Sequence, residues 1–168
     1  MKRDLSRGTE LYSREVFQIL LDYEVNRSQR YPSPLSLLDM VLLPGQQTTA
    51  VQEALDATIP AILNTHLRSA DIPAKTSNQY LVLLPTTDES GGRAASERLL
   101  SLFKGLLQAE SGVTFSVSAF IGISSHPGGL DLSGDILLQQ ASAALTHARQ
   151  QGISTYTSYS DIDKTPKP

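Results

Sequence analysis

There is no cysteine in the 168 residues of this chain. That excludes a disulfide framework and a thiolate metal centre, and it leaves a cytoplasmic setting compatible. No apolar run approaches the roughly 20 residues of a membrane span. The basic start, Met1-Lys-Arg-Asp-Leu-Ser-Arg7, leads into no apolar core of signal-peptide length. Membrane insertion is therefore not expected. Positive charge is not in surplus either: 14 Lys and Arg stand against 17 Asp and Glu, for a net charge of -3. The basic residues are scattered rather than striped, so nucleic acid is not an expected partner. What the chain does have is 40% hydrophobic content over a length that suits one domain with a core of its own. No internal repeat is visible.

The periodicity alternates between helix and strand. Leu11, Phe17, Leu20, Leu21 and Val25 recur at helical spacing over residues 10 to 30, and Pro32 and Pro34 close that segment. Leu35 to Leu43 is almost continuously apolar between Pro34 and Pro44-Gly45, which predicts a strand covered on both faces and central in its sheet. Thr49 with Gln52 predicts a capping box opening a helix to Leu67, kinked or split at Pro60. A hairpin follows: Asp71-Ile-Pro-Ala-Lys75, the polar turn Thr76-Ser77-Asn78-Gln79, and the strand Tyr80-Leu-Val-Leu-Leu-Pro85. Gly91 and Gly92 mark the turn into a helix from about Arg93 to Leu107, and residues 113 to 123 form a long β-rich run. A surface loop over 124 to 134, a helix from Asp135 with Gly152 at its end, and a strand over 155 to 159 complete the order. Strands separated by helices, with one hairpin between, predict an α+β sandwich with a mixed central sheet flanked by helices. Residues 1 to 9 form a lead-in, 10 to 159 the domain and 160 to 168 a polar tail.

Four fragments, in order, carry a resemblance. Thr9-Glu-Leu-Tyr-Ser-Arg-Glu-Val-Phe17 keeps Thr9, Leu11, Arg14 and Phe17 of a T-G-L-x-N-R-x-x-F pattern. Glu24 through Leu38 is close to E-x-x-R-x-x-R-x-x-x-P-L-x-L-L. Tyr80 to Pro85 matches F-x-x-x-L-P, and Ala141 to Gly152 matches A-D-x-A-L-Y-x-A-K-x-x-G. The chain resembles the GGDEF domains, diguanylate cyclases that condense two GTP into cyclic di-GMP. The resemblance runs from Thr9 to Tyr159 and implies the nucleotide-cyclase-like, ferredoxin-type fold. In relatives the first helix often continues from an upstream sensor. Here it starts almost at the first residue, which points to a stand-alone protein or an excised domain.

The family's chemistry requires carboxylates that hold two divalent cations against a triphosphate, because hard cations take oxygen ligands. Here Val41 stands at the position of the first metal-binding Asp, and Asp39 lies two residues early. That is about 6 to 7 Å along a strand, too far for a ligand shell of roughly 2.0 to 2.6 Å. Thr76, Ser77, Asn78, Gln79 and Tyr80 occupy the Gly-Gly-Asp-Glu-Phe positions, so both glycines and both acids are replaced. Neutral amides supply little charge to a cation and no base. The loop at Pro44 to Thr49 is shorter than the family's, Arg149 replaces a phosphate-contacting Lys, and Ile153 replaces an Arg. The expectation is no cyclase activity, no metal and no cofactor.

Arg68-Ser-Ala-Asp71 matches the family's product-binding R-x-x-D motif, and Arg98 falls where some members bring a second arginine. An arginine fork suits phosphate or a guanine edge, and an aspartate suits the guanine N–H donors. Two readings follow: a non-catalytic regulatory domain that binds cyclic di-GMP through Arg68, Asp71 and Arg98, or a dimerisation or partner-docking module that binds no nucleotide. A GTP sensor using the old cleft is disfavoured by the altered turn and loop. The resemblance also implies a homodimer. His66, His126 and His147 lack metal-ligand spacing, Ser124, Ser125 and His126 form no nucleophile motif, and Gly128-Gly129 reads as loop. Tyr156 and Tyr159 read as packing residues.

Overall fold

A computed structural model describes residues 10–163; the expected lead-in over 1 to 9, Thr9 included, and the end of the expected tail from 164 lie outside them. The elements are α1 (Arg14–Arg30), β1 (Leu35–Pro44), α2 (Thr49–His66), β2 (Ile72–Lys75), β3 (Tyr80–Pro85) and α3 (Glu89–Phe103). They continue with β4 (Leu107–Gln108), β5 (Thr114–Phe115), β6 (Val117–His126), α4 (Gly134–Gln150), β7 (Thr155–Ser158) and α5 (Tyr159–Ile162). Five strands form one mixed sheet in the order β2-β3-β1-β6-β7, and β4 and β5 make a separate small hairpin. β1 is central as its apolar run predicts, antiparallel to β3 and β6, while β6 and β7 pair in parallel across the α4 crossover.

Alternation along β1 divides the core. Leu38, Met40 and Leu42 join Leu55, Ile59 and Leu63 of α2 and Leu99 and Phe103 of α3 on one face. Leu35 and Leu37 join Phe17 and Leu21 of α1 and Leu137 and Ala141 of α4 on the other. Helices therefore cover both faces, and every β1 residue through Leu42 is buried.

The helix starts follow side-chain capping. Thr48, rather than Thr49, accepts from the Val51 N–H at 3.2 Å, and α2 runs through Pro60 without being split. α3 begins earlier than its glycines suggest, because Asp88 accepts from the Gly91 N–H at 2.9 Å. Gly92 lies within its first turns, where a Cβ would stand 3.2 Å from Ile123 and 3.4 Å from Ser36, so the missing side chain lets the helix sit down on the sheet. Gly122 does the same for α4: a Cβ there would strike the Ala141 carbonyl and the Leu145 backbone. β6 extends through His126 into the expected loop, and Ser124, buried, donates to the Leu137 carbonyl of α4 at 2.7 Å. The start of the expected polar tail is helical: Arg93 of α3 holds Asp161 of α5 at 2.8 Å, and Glu89 accepts from Ser158 and Ser160. At the β2 edge, Tyr12 donates to the Pro73 carbonyl and accepts from the Lys75 N–H, both at 3.1 Å.

Candidate functional site

β1 and β2 run opposite to β3 and β6, so loops and helix ends collect at two ends of the sheet. One end holds the C-terminus of β1, the hairpin turn, the start of α1 and the close of α4. Met40 pairs with Tyr80, which sets Val41 level with the turn. Val41 is buried against Phe120, Leu145 and Ala148, an apolar cluster. Thr76 closes the turn by donating from N–H and hydroxyl to the Gln79 carbonyl at 2.9 and 3.2 Å, leaving Ser77 and Asn78 exposed. Arg149 is exposed in the last turn of α4, and Ile153 is exposed just beyond it.

Asp39 lies on the same sheet face as Val41, one pleat deeper. It is 5% exposed, and its Oδ1 has no hydrogen-bond partner among the described residues. Burial pushes its carboxyl up from 3.8 to about 6, and the Arg14 guanidinium only partly offsets that. Tyr80, on the opposite face, buries a hydroxyl that is likewise unpartnered among the described residues. Its hydroxyl is pushed upward by burial and by the nearby Asp56.

The other end is built from the close of α2, the approach to β2, the end of β3 and the start of α3. There the fold brings Arg68, Asp71 and Arg98 to one open concavity of about 370 Å³, walled by Pro34, Leu84, Thr86, Thr87 and Asp88. Asp71 is 2% exposed and ties its own turn: its Oδ2 accepts from the Arg68 N–H at 2.8 Å, and its N–H donates to the Arg68 carbonyl at 3.0 Å. The Arg68 guanidinium returns to the same carboxylate, Nε at 3.2 Å and Nη2 at 2.9 Å from Oδ1. Nη2 also donates to the Pro85 carbonyl at 3.0 Å and to Thr87 Oγ1 at 2.7 Å. Arg98 is exposed, and among the described residues it has no hydrogen-bond or ion-pair partner. A pinned arginine and an unpaired one therefore face the same space, an arrangement suited to a divided anion.

The wall at Thr86 and Thr87 carries no motif, and nothing in the sequence singled it out. Thr86 has φ of 51°, in the left-handed region that a β-branched residue rarely enters. Several of the other singled-out residues have structural partners: His147 Nδ1 lies 3.3 Å from Thr157 Oγ1, the Gly128 N–H donates to His126 Nδ1 at 2.9 Å, and Tyr156 donates to Glu97 at 2.8 Å.

Solved structures share this architecture. The GGDEF domain of TpbB (YfiN) from Pseudomonas aeruginosa superposes with a TM-score of 0.73 at 20% identity, over 90% of this chain and 92% of that one. The FimX GGDEF domain from the same organism gives 0.75 at 18% identity, over 88% and 94%. The GGDEF domain of DgcB from Caulobacter crescentus, solved in complex with c-di-GMP, gives 0.72 at 14% identity, over 90% of each chain. No family model and no curated protein matches the chain by sequence. The fold is that of the GGDEF domain, as the four fragments implied.

Proposed function

We propose that this chain is a non-catalytic regulatory domain of cyclic di-GMP signalling, binding cyclic di-GMP at the concavity of Arg68, Asp71 and Arg98. The observation that carries the reading is the convergence of two residues from the turn after α2 and one from α3 on one open space, with Arg98 left unpaired among the described residues. Arg98 and Arg68 supply cations for the two phosphates, and Asp71 holds Arg68 in place. Residues 10 to 159 make up the regulatory domain, with a cytoplasmic setting and a homodimer or protein partner as its context.

The residues at the hairpin end do not fit the two divalent cations that cyclase chemistry needs. Its turn offers neutral side chains, Val41 is enclosed in an apolar cluster, and Asp39 is a lone carboxyl raised by burial toward its neutral form. The competing reading, a docking or dimerisation module without a nucleotide, draws on a different observation: the Arg68 and Asp71 side chains already bond to one another.

Titration calorimetry separates the two readings. The wild type is expected to bind cyclic di-GMP with micromolar or tighter affinity and Arg98→Ala to lose that binding while keeping its melting temperature; a flat wild-type titration leaves the docking reading in possession. Incubation with GTP and Mg²⁺ or Mn²⁺ is expected to give no cyclic di-GMP, and any turnover overturns the non-catalytic half.

A further inference from the structure

The three residues at the end of β3, Pro85, Thr86 and Thr87, form a knot of hydrogen bonds around Arg68. The Pro85 carbonyl accepts from Arg68 Nη2 at 3.0 Å, from Thr86 Oγ1 at 2.7 Å and from Thr87 Oγ1 at 2.9 Å. Thr87 Oγ1, donating to that carbonyl, accepts from Arg68 Nη2 at 2.7 Å. The turn is fastened on its far side as well: the Thr87 N–H donates to the Pro34 carbonyl at 3.1 Å, and Ser36 Oγ donates to the Thr87 carbonyl at 2.9 Å. Asp71 occupies the Nε and Nη2 edge of the guanidinium, and Pro85 and Thr87 take the other side of Nη2, the side it shares with Nη1 in a second fork that can face an anion. In this closed arrangement Thr86 stands at φ of 51°. For a β-branched residue that conformation is strained, and strain of this kind persists only where neighbouring bonds hold it.

We propose that the Pro85–Thr87 turn is a strained latch that competes with the ligand for Arg68, so that binding releases the Thr87 and Pro85 contacts and lets Thr86 relax. The proposal rests on the binding site assigned above and adds its regulation by two residues outside the R-x-x-D pattern. Their effects have opposite signs. Removing the Thr87 hydroxyl deletes one acceptor from the latched state and favours release. A residue that tolerates the left-handed conformation at position 86 relieves the latched state and favours closure. Asn does so without adding the backbone freedom of Gly, which would also loosen the released turn.

The experiment is titration with cyclic di-GMP of the wild type, Thr87→Val, Thr86→Asn and Thr87→Ser, each first shown by thermal unfolding to be folded. Thr87→Val is expected to bind about three- to tenfold tighter, in keeping with one charge-assisted hydrogen bond removed from the competing state. Thr86→Asn is expected to bind about threefold weaker, in keeping with partial relief of left-handed strain. Thr87→Ser, which keeps the hydroxyl, should match the wild type. A wild type that binds only weakly beside a Thr87→Val variant that binds tightly also supports the latch. If the wild type binds and both variants match it or move in the same direction, the latch is overturned and the binding site stands. If none of the four proteins binds, site and latch fall together.

Discussion

Asp39 places a carboxyl under an apolar roof, and its titration is readable as stability. Its folded-state value is raised from 3.8 to about 6, with burial as the larger cause. Between those two values the native protein keeps a proton that the unfolded chain has released, so stability falls as pH rises through this window. The fall attributable to Asp39 is on the order of 2–3 kcal/mol. Urea unfolding of the wild type and Asp39→Asn at pH 5 and pH 7.5 checks it: the wild type should lose stability relative to the variant at the higher pH, and parallel behaviour would refute the assignment. Tyr80 gives a simpler case. Its buried hydroxyl is unpartnered among the described residues, so Tyr80→Phe is expected to leave stability unchanged or raise it by about 1 kcal/mol. A loss of midpoint in the same urea assay would show that the hydroxyl is satisfied after all.

Among the elements, α4 depends on an absent side chain. A Cβ at Gly122 would meet the backbone of Ala141 and Leu145, with Leu145 Cα at 2.8 Å, and helix backbone cannot rotate aside as a side-chain tip does. Gly122→Ala should therefore destabilise by about 3 kcal/mol, read as a lowered denaturation midpoint; a near-neutral result would mean that α4 can lift off β6. Elements with strong periodicity were legible in the sequence: β1 from its apolar run between prolines, the β2–β3 hairpin, and α1 and α4 from helical spacing. Elements set by tertiary contact were not. Gly91 and Gly92 read as a turn by local chemistry, yet α3 starts before them because Asp88 caps it and the sheet below needs a small residue at 92. The β4–β5 hairpin is two residues per strand, too short to show alternation, and packs beneath α2 through Ala109 and Phe115. α5 is four residues fastened by Arg93 from a distant helix, a pairing invisible to any local window.

Across the whole molecule, the two ends of the sheet have separate fates. At the hairpin end Val41 lies in an apolar cluster, the turn is neutral and Asp39 is buried. The opposite end stays open and holds two arginines. The sequence named the three residues at that end but gave no sign of the wall opposite them, because a left-handed threonine and a shared carbonyl are properties of backbone geometry, not of composition. The asymmetry predicts a ligand pattern in thermal-shift assays. Cyclic di-GMP at 100 times its dissociation constant should stabilise by about 2.7 kcal/mol, Arg98→Ala should abolish the shift, and GTP should give none. A shift with GTP alone would move the site back to the hairpin end.

The strand order also has a bearing on assembly. β2 is the margin of the sheet, and the margin of a sheet invites strands from other molecules. Here Tyr12 already occupies the Pro73 carbonyl and the Lys75 N–H, and Pro73 itself has no N–H to offer. The chain's own backbone at Tyr12 thus takes up two of that border's hydrogen-bonding groups, which leaves a strand from another molecule fewer of them to pair with along this side.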